Sequence, residues 1–123
     1  MTGTVTIRYR SFRADISLDA LENMPACNLR KLFKLAAKDR HTNEAAIISI
    51  RRHLDDIIQE AQDTMRAAAR AYEDGWHRVY DPKIRILKND ELTAACRHAR
   101  ARYERLVRTR KVFDEILAPD TKH

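Results

Sequence analysis

From Thr42 to about residue 79, apolar side chains return every three or four positions: Ile47, Ile50, Leu54, Ile57, Ala61, Met65, Ala68, Tyr72 and Trp76. An average step of about 3.6 is the period of an α-helix with one buried stripe. The stretch therefore predicts a single helix on the order of 55 Å long at 1.5 Å per residue. Thr42 stands where an N-cap is needed, and Glu44 falls in the first turn, where the helix dipole favours negative charge. Gly75 is the weak point, since glycine costs roughly 1 kcal/mol against alanine in a helix interior, so the helix would end there first. A second stripe, Leu92, Cys96, Ala99, Tyr103, Leu106, Phe113 and Leu117, predicts a last helix over 90–118. Asn89 or Asp90 would cap it, Pro82 would separate it from the first, and Pro119 would follow its end. Its one interruption is Arg110, a base on the buried stripe that would snorkel to the edge or meet Asp55 or Asp56.

The N-terminal third follows other periods. Residues 4–10 alternate, with Val5, Ile7 and Tyr9 on one side, as in a half-buried strand. Its partner would be "KIRIL" at 83–87 or, folding straight back, "FRADI" at 12–16. Ser17 is placed to accept hydrogen bonds from the first amides of a short helix that Pro25 ends or redirects. "CNLRKLFKLAAKDR" then carries Leu29, Leu32, Phe33 and Ala36 at helical spacing. Two long amphipathic helices joined by a short connection pack antiparallel. The expected fold is mostly α: a long antiparallel helical hairpin braced by short N-terminal helices and a small β-strand pair. It would form one domain over 1–123, with an arm at 1–16, short helices at 17–40 and the hairpin from 42–79 and 90–118, since a chain of 123 residues has little room for a second core.

Charge changes this picture at one place. Arg97 to Lys111 holds seven bases against the single acid Glu104, an excess equal to the net +6 of the whole chain. At 100° per residue Arg97, Arg105 and Arg108 lie opposite the apolar stripe, with Arg100 and Lys111 on one flank and Arg102 on the other. Helical pairs from Arg100 to Glu104, Glu104 to Arg108 and Lys111 to Glu115 have suitable spacing but contribute only a few tenths of a kcal/mol each. One glutamate cannot neutralise so many guanidinium groups, and arginine binds phosphate or carboxylate bidentately. Arg97, Arg100, Arg102, Arg105, Arg108 and Lys111 are thus the candidate partner-binding residues, against the plainer reading of a solvated helix face. Arg30, Lys31, Lys34 and Lys38 form a second, weaker patch. Trp76 and Tyr80 beside His77 and Arg78 are candidates to stack on bases, although with Tyr72 they recur every four residues as a packed stripe would.

Other chemistry finds little footing. His53 and Asp56 lie one turn apart, as a base and its orienter would, and His77, His98 and Cys96 are conceivable metal ligands. None sits in an HExxH or paired CxxC pattern, so no catalytic residue, metal or cofactor is assigned. Two glycines in the chain leave no glycine-rich phosphate loop. Cys27 and Cys96 read as reduced thiols used as small core residues. With no apolar run of membrane-spanning length and no signal-like start, the expected setting is the cytoplasm, without a membrane partner. A short, basic, glycine-poor helical chain resembles accessory proteins of phages and mobile elements in composition alone, which carries no residue roles across.

The expected function is therefore a non-enzymatic binding protein whose basic helix face engages nucleic acid or a nucleoprotein complex, one form being an inhibitor of a host defence complex, with no small-molecule substrate. The alternative is a structural or assembly protein, a homodimer or larger, whose arginines meet acidic protein surfaces.

Overall fold

A computed structural model of the chain describes residues 3–78 and 82–118, with side chains described over 3–74 and 91–118. Strands β1 (Thr4–Tyr9) and β2 (Phe12–Ser17) are followed by a 3-10 turn (Leu18–Asn23) and helices α1 (Ala26–Lys38), α2 (Glu44–Arg78) and α3 (Pro82–Leu117). The fold is mostly helical, with α2 and α3 packed together and a two-stranded antiparallel sheet ahead of them. By internal packing the chain divides into two compact units, one holding residues up to Asp56 and from Leu106 on, the other Ile57–Arg105.

In the first unit, β1 and β2 form a hairpin in register Thr4↔Ser17 through Tyr9↔Phe12. The partner of β1 is thus 12–17, and 83–87 lies in α3 instead. Closing a two-residue turn costs far less chain entropy than recruiting a strand more than seventy residues away. Arg10, in that turn, has φ 56, the left-handed value that hairpin turns of this length require. Val5 and Ile7 are buried, as the alternation required.

The segment after Ser17 is 3-10 rather than α, and the Ser17 side chain makes no capping bond. Leu18 instead donates its N–H to the Gly3 carbonyl at 3.0 Å, extending the hairpin. Pro25 precedes α1, and its carbonyl accepts the first helical bonds, from Asn28 and Leu29 at 3.0 Å each. Leu29, Leu32, Phe33 and Ala36 of α1 are all buried, and α1 packs on β1. Phe33 meets Phe113 of α3 edge to face, with centroids 5.5 Å apart and planes at 83°, the geometry the ring quadrupoles favour. Ile50 and Leu54 of α2 and Leu106 and Leu117 of α3 are fully enclosed in the same unit.

Helix α2 starts at Glu44, not at Thr42. Asn43 is its cap position, because the Asn43 carbonyl accepts the first bond, from Ile47 N–H at 2.9 Å. Thr42 is spent on Asp39, giving its hydroxyl at 2.7 Å and its N–H at 3.2 Å to the carboxylate. Helix α2 continues past Gly75 to Arg78, since one glycine costs less than ending a helix whose stripe persists. Helix α3 begins at Pro82 rather than near 90. Proline at the first helical position loses no bond and brings a preset φ, so it starts this helix instead of only stopping the one before.

In the second unit, Ile57, Ala61 and Ala99 are buried among the described side chains, and Met65, Ala68, Tyr72, Leu92, Cys96 and Tyr103 are half-buried. Small residues at the closest points allow helix backbones to approach.

Candidate functional site

The charged residues of α3 sort by what α2 and α1 offer them. In the first unit Arg110, on the buried stripe, turns its Nε to Asp55 and Asp114, each at 3.5 Å, with its guanidinium 5.2 Å from the centre of the Phe113 ring. This is the Asp55 meeting expected of that position. One guanidinium nitrogen, Nη1, is buried without a hydrogen bond. In the second unit Arg102 reaches Glu60 of α2 at 3.4 Å, and only 28 % of its side chain is exposed. Arg102 is therefore turned to the helix seam rather than standing out with the candidate face.

The outward residues differ. Arg97, Arg100 and Arg105 in the second unit and Arg108 and Lys111 in the first are all exposed. Arg100 makes the expected helical pair with Glu104, at 3.5 Å and with 75 % of its side chain in solvent. The pairs from Glu104 to Arg108 and from Lys111 to Glu115 do not form: Glu115 goes to Arg30 of α1 at 3.2 Å instead. Among the described residues, no ion pair or hydrogen bond holds Arg97, Arg108 or Lys111. The residues divide by partner: Arg102 and Arg110 lie within reach of Glu60 and Asp55 of α2, and Arg100 within reach of Glu104 on its own helix.

The secondary patch is also divided. Arg30 is tied to Glu115, and Lys38 lies 5.0 Å above the Tyr9 ring, which Arg10 flanks at 5.2 Å. Lys31 and Lys34 are exposed. The candidate stacking side chains, Trp76 and Tyr80, lie outside the residues whose side chains are described, as does His77.

For acid–base or metal chemistry, His53 is half-buried and Asp56 exposed, with no bond between them, and among the described residues no three His, Cys, Asp or Glu side chains converge on one point. Cys27 is exposed rather than in the core, because it sits in the first turn of α1 off the Leu29–Phe33 face; Cys96 is half-buried, and both are free. A shallow groove of about 450 Å³ in the first unit is lined by Ile47, Ile48, Leu117, Arg40 and Arg51.

Two polar residues that the pattern of the chain does not single out hold this unit together. Asn43, 1 % exposed, takes the Arg8 N–H at 2.8 Å and gives its amide to the carbonyls of Arg8 at 2.9 Å and Asp39 at 3.0 Å. Arg40 gives its guanidinium to the carbonyls of Ile116, Leu117 and Ala118 at 3.1 to 3.5 Å, closing the end of α3, where positive charge also meets the negative end of the helix dipole. Nothing in "DRHTNE" distinguishes a clasp from an ordinary polar turn, so no sequence signal would have found them.

Two carboxylates are held below their ordinary range. The hydroxyl of Thr6 at 2.6 Å and, more weakly, Arg13 lower Asp15, and the hydroxyl and then the N–H of Thr42 lower Asp39. Both are exposed structural groups, not candidates for proton transfer. Among the described residues no helix is long and apolar enough to cross a membrane. Compared with known proteins, this chain of a long helix pair and an N-terminal β-hairpin matches no family model, no curated protein and no solved structure.

Proposed function

We propose that the protein is a non-enzymatic binding module of the cytoplasm whose α3 cations contact the phosphates of a nucleic acid or nucleoprotein complex. The observation that carries this reading is the contrast along one helix. Arg102 and Arg110 have acids of α2, whereas Arg97, Arg108 and Lys111 are exposed and engaged by no acid among the described residues. Positive charges crowded on one helix repel each other, and a polyanion relieves that cost while releasing its own counterions. No recognition-helix, zinc or aromatic RNA-binding pattern accompanies the cations, so the contacts proposed are to the backbone and not to base edges. An inhibitor that competes with nucleic acid for a host complex would use the same residues.

The test is binding of labelled random-sequence duplex and single strands, DNA and RNA, followed by anisotropy over a range of salt. Affinity is expected to fall linearly with salt on logarithmic axes. Replacing Arg97, Arg108 and Lys111 together by alanine is expected to reduce the slope by close to one for each phosphate that is no longer neutralised. Slope and affinity indifferent to the triple substitution would remove the reading. Binding to acidic proteins but to no nucleic acid would favour the assembly role instead.

A further inference from the structure

The clasp of Asn43 on Arg8 settles which way the sheet's peptide groups point. Both the N–H and the C=O of Arg8 are bonded to the Asn43 side chain, at 2.8 and 2.9 Å, so they face away from β2. In an antiparallel ladder, residues opposite each other alternate between exchanging both bonds and exchanging none. Arg8↔Arg13 is therefore a pair that exchanges none, and Thr6↔Asp15, two residues on, is another. Arg13 and Asp15 consequently aim their N–H and C=O groups at the outer edge of β2. Among the described residues no hydrogen bond reaches those groups, and the sheet contains only β1 and β2. The β1 edge is closed at Arg8 by Asn43, whereas among the described residues no side chain closes the β2 edge at Arg13 or Asp15.

Open edges are usually defended by proline, a bulge or a charge turned inward. Strand β2, "FRADIS", has no proline, pairs in unbroken register and carries its charges on the polar face. Its apolar row is incompletely covered: Phe12 is 46 % exposed, the highest of the large hydrophobic residues described, and Ala14 and Ile16 are half-buried.

The sequence of β2 is also complementary to itself when reversed about Ala14. From these features we infer that the β2 edge pairs antiparallel with β2 of a second copy, with Ala14 on the two-fold axis, giving a continuous four-stranded sheet. In that register Arg13 faces Asp15 of the second copy twice, and these are the residues whose peptide groups point outward, so four backbone hydrogen bonds form around the axis. On the apolar face Phe12 meets Ile16 of the second copy, and the two small Ala14 side chains meet at the axis without a clash. The pairing also relieves a defect within the chain. Arg8 and Arg13 are like charges directly opposite one another, an arrangement that costs stability; Asp15 of the same strand, 3.4 Å from Arg13, offsets part of it, and a second Asp15 beside Arg13 offsets more.

One strand pair buries much less than a standard interface of about 1,600 Å², so the dimer is weak. This inference is independent of the proposed anion contacts, and its test uses protein freed of nucleic acid. Sedimentation equilibrium from micromolar to millimolar concentration is expected to show a monomer–dimer equilibrium. Arg13→Asp alone or Asp15→Arg alone places like charges opposite each other in both pairs and weakens self-association by tenfold or more. Mixing those two single variants restores association as a heterodimer, and the double variant carrying both substitutions restores it as a homodimer. On the wild-type chain, amide exchange at Arg13 and Asp15 slows as the protein is concentrated, a readout that does not depend on any variant folding. A wild-type monomer throughout, a dimer indifferent to both charge reversals, or no slowing of those two amides would each overturn the inference.

Discussion

Asp39 and Asp15 are exposed, yet each is fixed by a threonine: Asp39 by the hydroxyl and N–H of Thr42, Asp15 by the hydroxyl of Thr6 across the hairpin. These bonds favour the charged form, so both carboxyls titrate below their ordinary value of 3.8. A group whose folded pKa is lowered stabilises the fold above its unfolded pKa and loses that contribution as pH falls through the folded value. Melting temperature is accordingly expected to hold from neutral pH down to about pH 4 and then to decline. In Asp39→Asn the decline becomes shallower, while the neutral-pH stability drops slightly. Thermal melts at a series of pH values read both, and an unchanged acid limb would mean that the Asp39 turn contributes nothing. Arg110 shows how context changes a residue's role. Its place on the apolar stripe makes it the odd base of α3; helical spacing puts Asp114 within its reach, and the packing of α2 adds Asp55. That one of its nitrogens is buried without a bond could not be read from spacing.

The long helices follow from their periods, since a stripe at 3.6 residues over so many turns has no strand alternative. The ends were set by local chemistry of finer grain. Thr42 and Asn43 are both good caps by type, and only the competition of Asp39 for the Thr42 hydroxyl decides that Asn43 precedes α2. Pro82 reads equally as a stop or as a first helical residue. Asn43 is where the elements of the first unit meet: its side chain bonds β1 at Arg8 and the end of α1 at Ala36 and Asp39, while its own carbonyl starts α2. Asn43→Ala would take the side-chain partner from the Arg8 N–H and C=O and from the Ala36 carbonyl in a place at most partly open to solvent, while the Asp39 carbonyl keeps the residue 43 N–H, and each buried group left unpaired costs about 1–3 kcal/mol. A loss of several kcal/mol in urea unfolding is expected. A loss under about 1 kcal/mol would mean that the hairpin is held by apolar packing alone.

Across the whole molecule, burial is uneven. Phe33, Phe113, Ile7, Leu21, Ile50, Leu54, Leu106 and Leu117 are enclosed in the first unit, whereas the described part of the second buries Ile57, Ala61 and Ala99. Amides of α2 around Ile50–Leu54 are therefore expected to exchange with solvent only on global unfolding, and those around Gln62–Ala71 through cheaper local opening. Native-state hydrogen exchange distinguishes the two, and equal protection in both stretches would contradict this account. The sequence by itself determined the helix pair, the N-terminal strand, the faces they bury and the excess of arginine on α3, because each is a regular recurrence of residue type along one element. The tertiary structure alone decided that Arg102 turns to Glu60 and Glu115 to Arg30, that Asp55 and not Asp56 takes Arg110, and that Asn43 and Arg40 act as clasps. Those outcomes depend on which side chains distant in sequence come within hydrogen-bond reach, a matter of distance between elements that no periodicity within one element encodes.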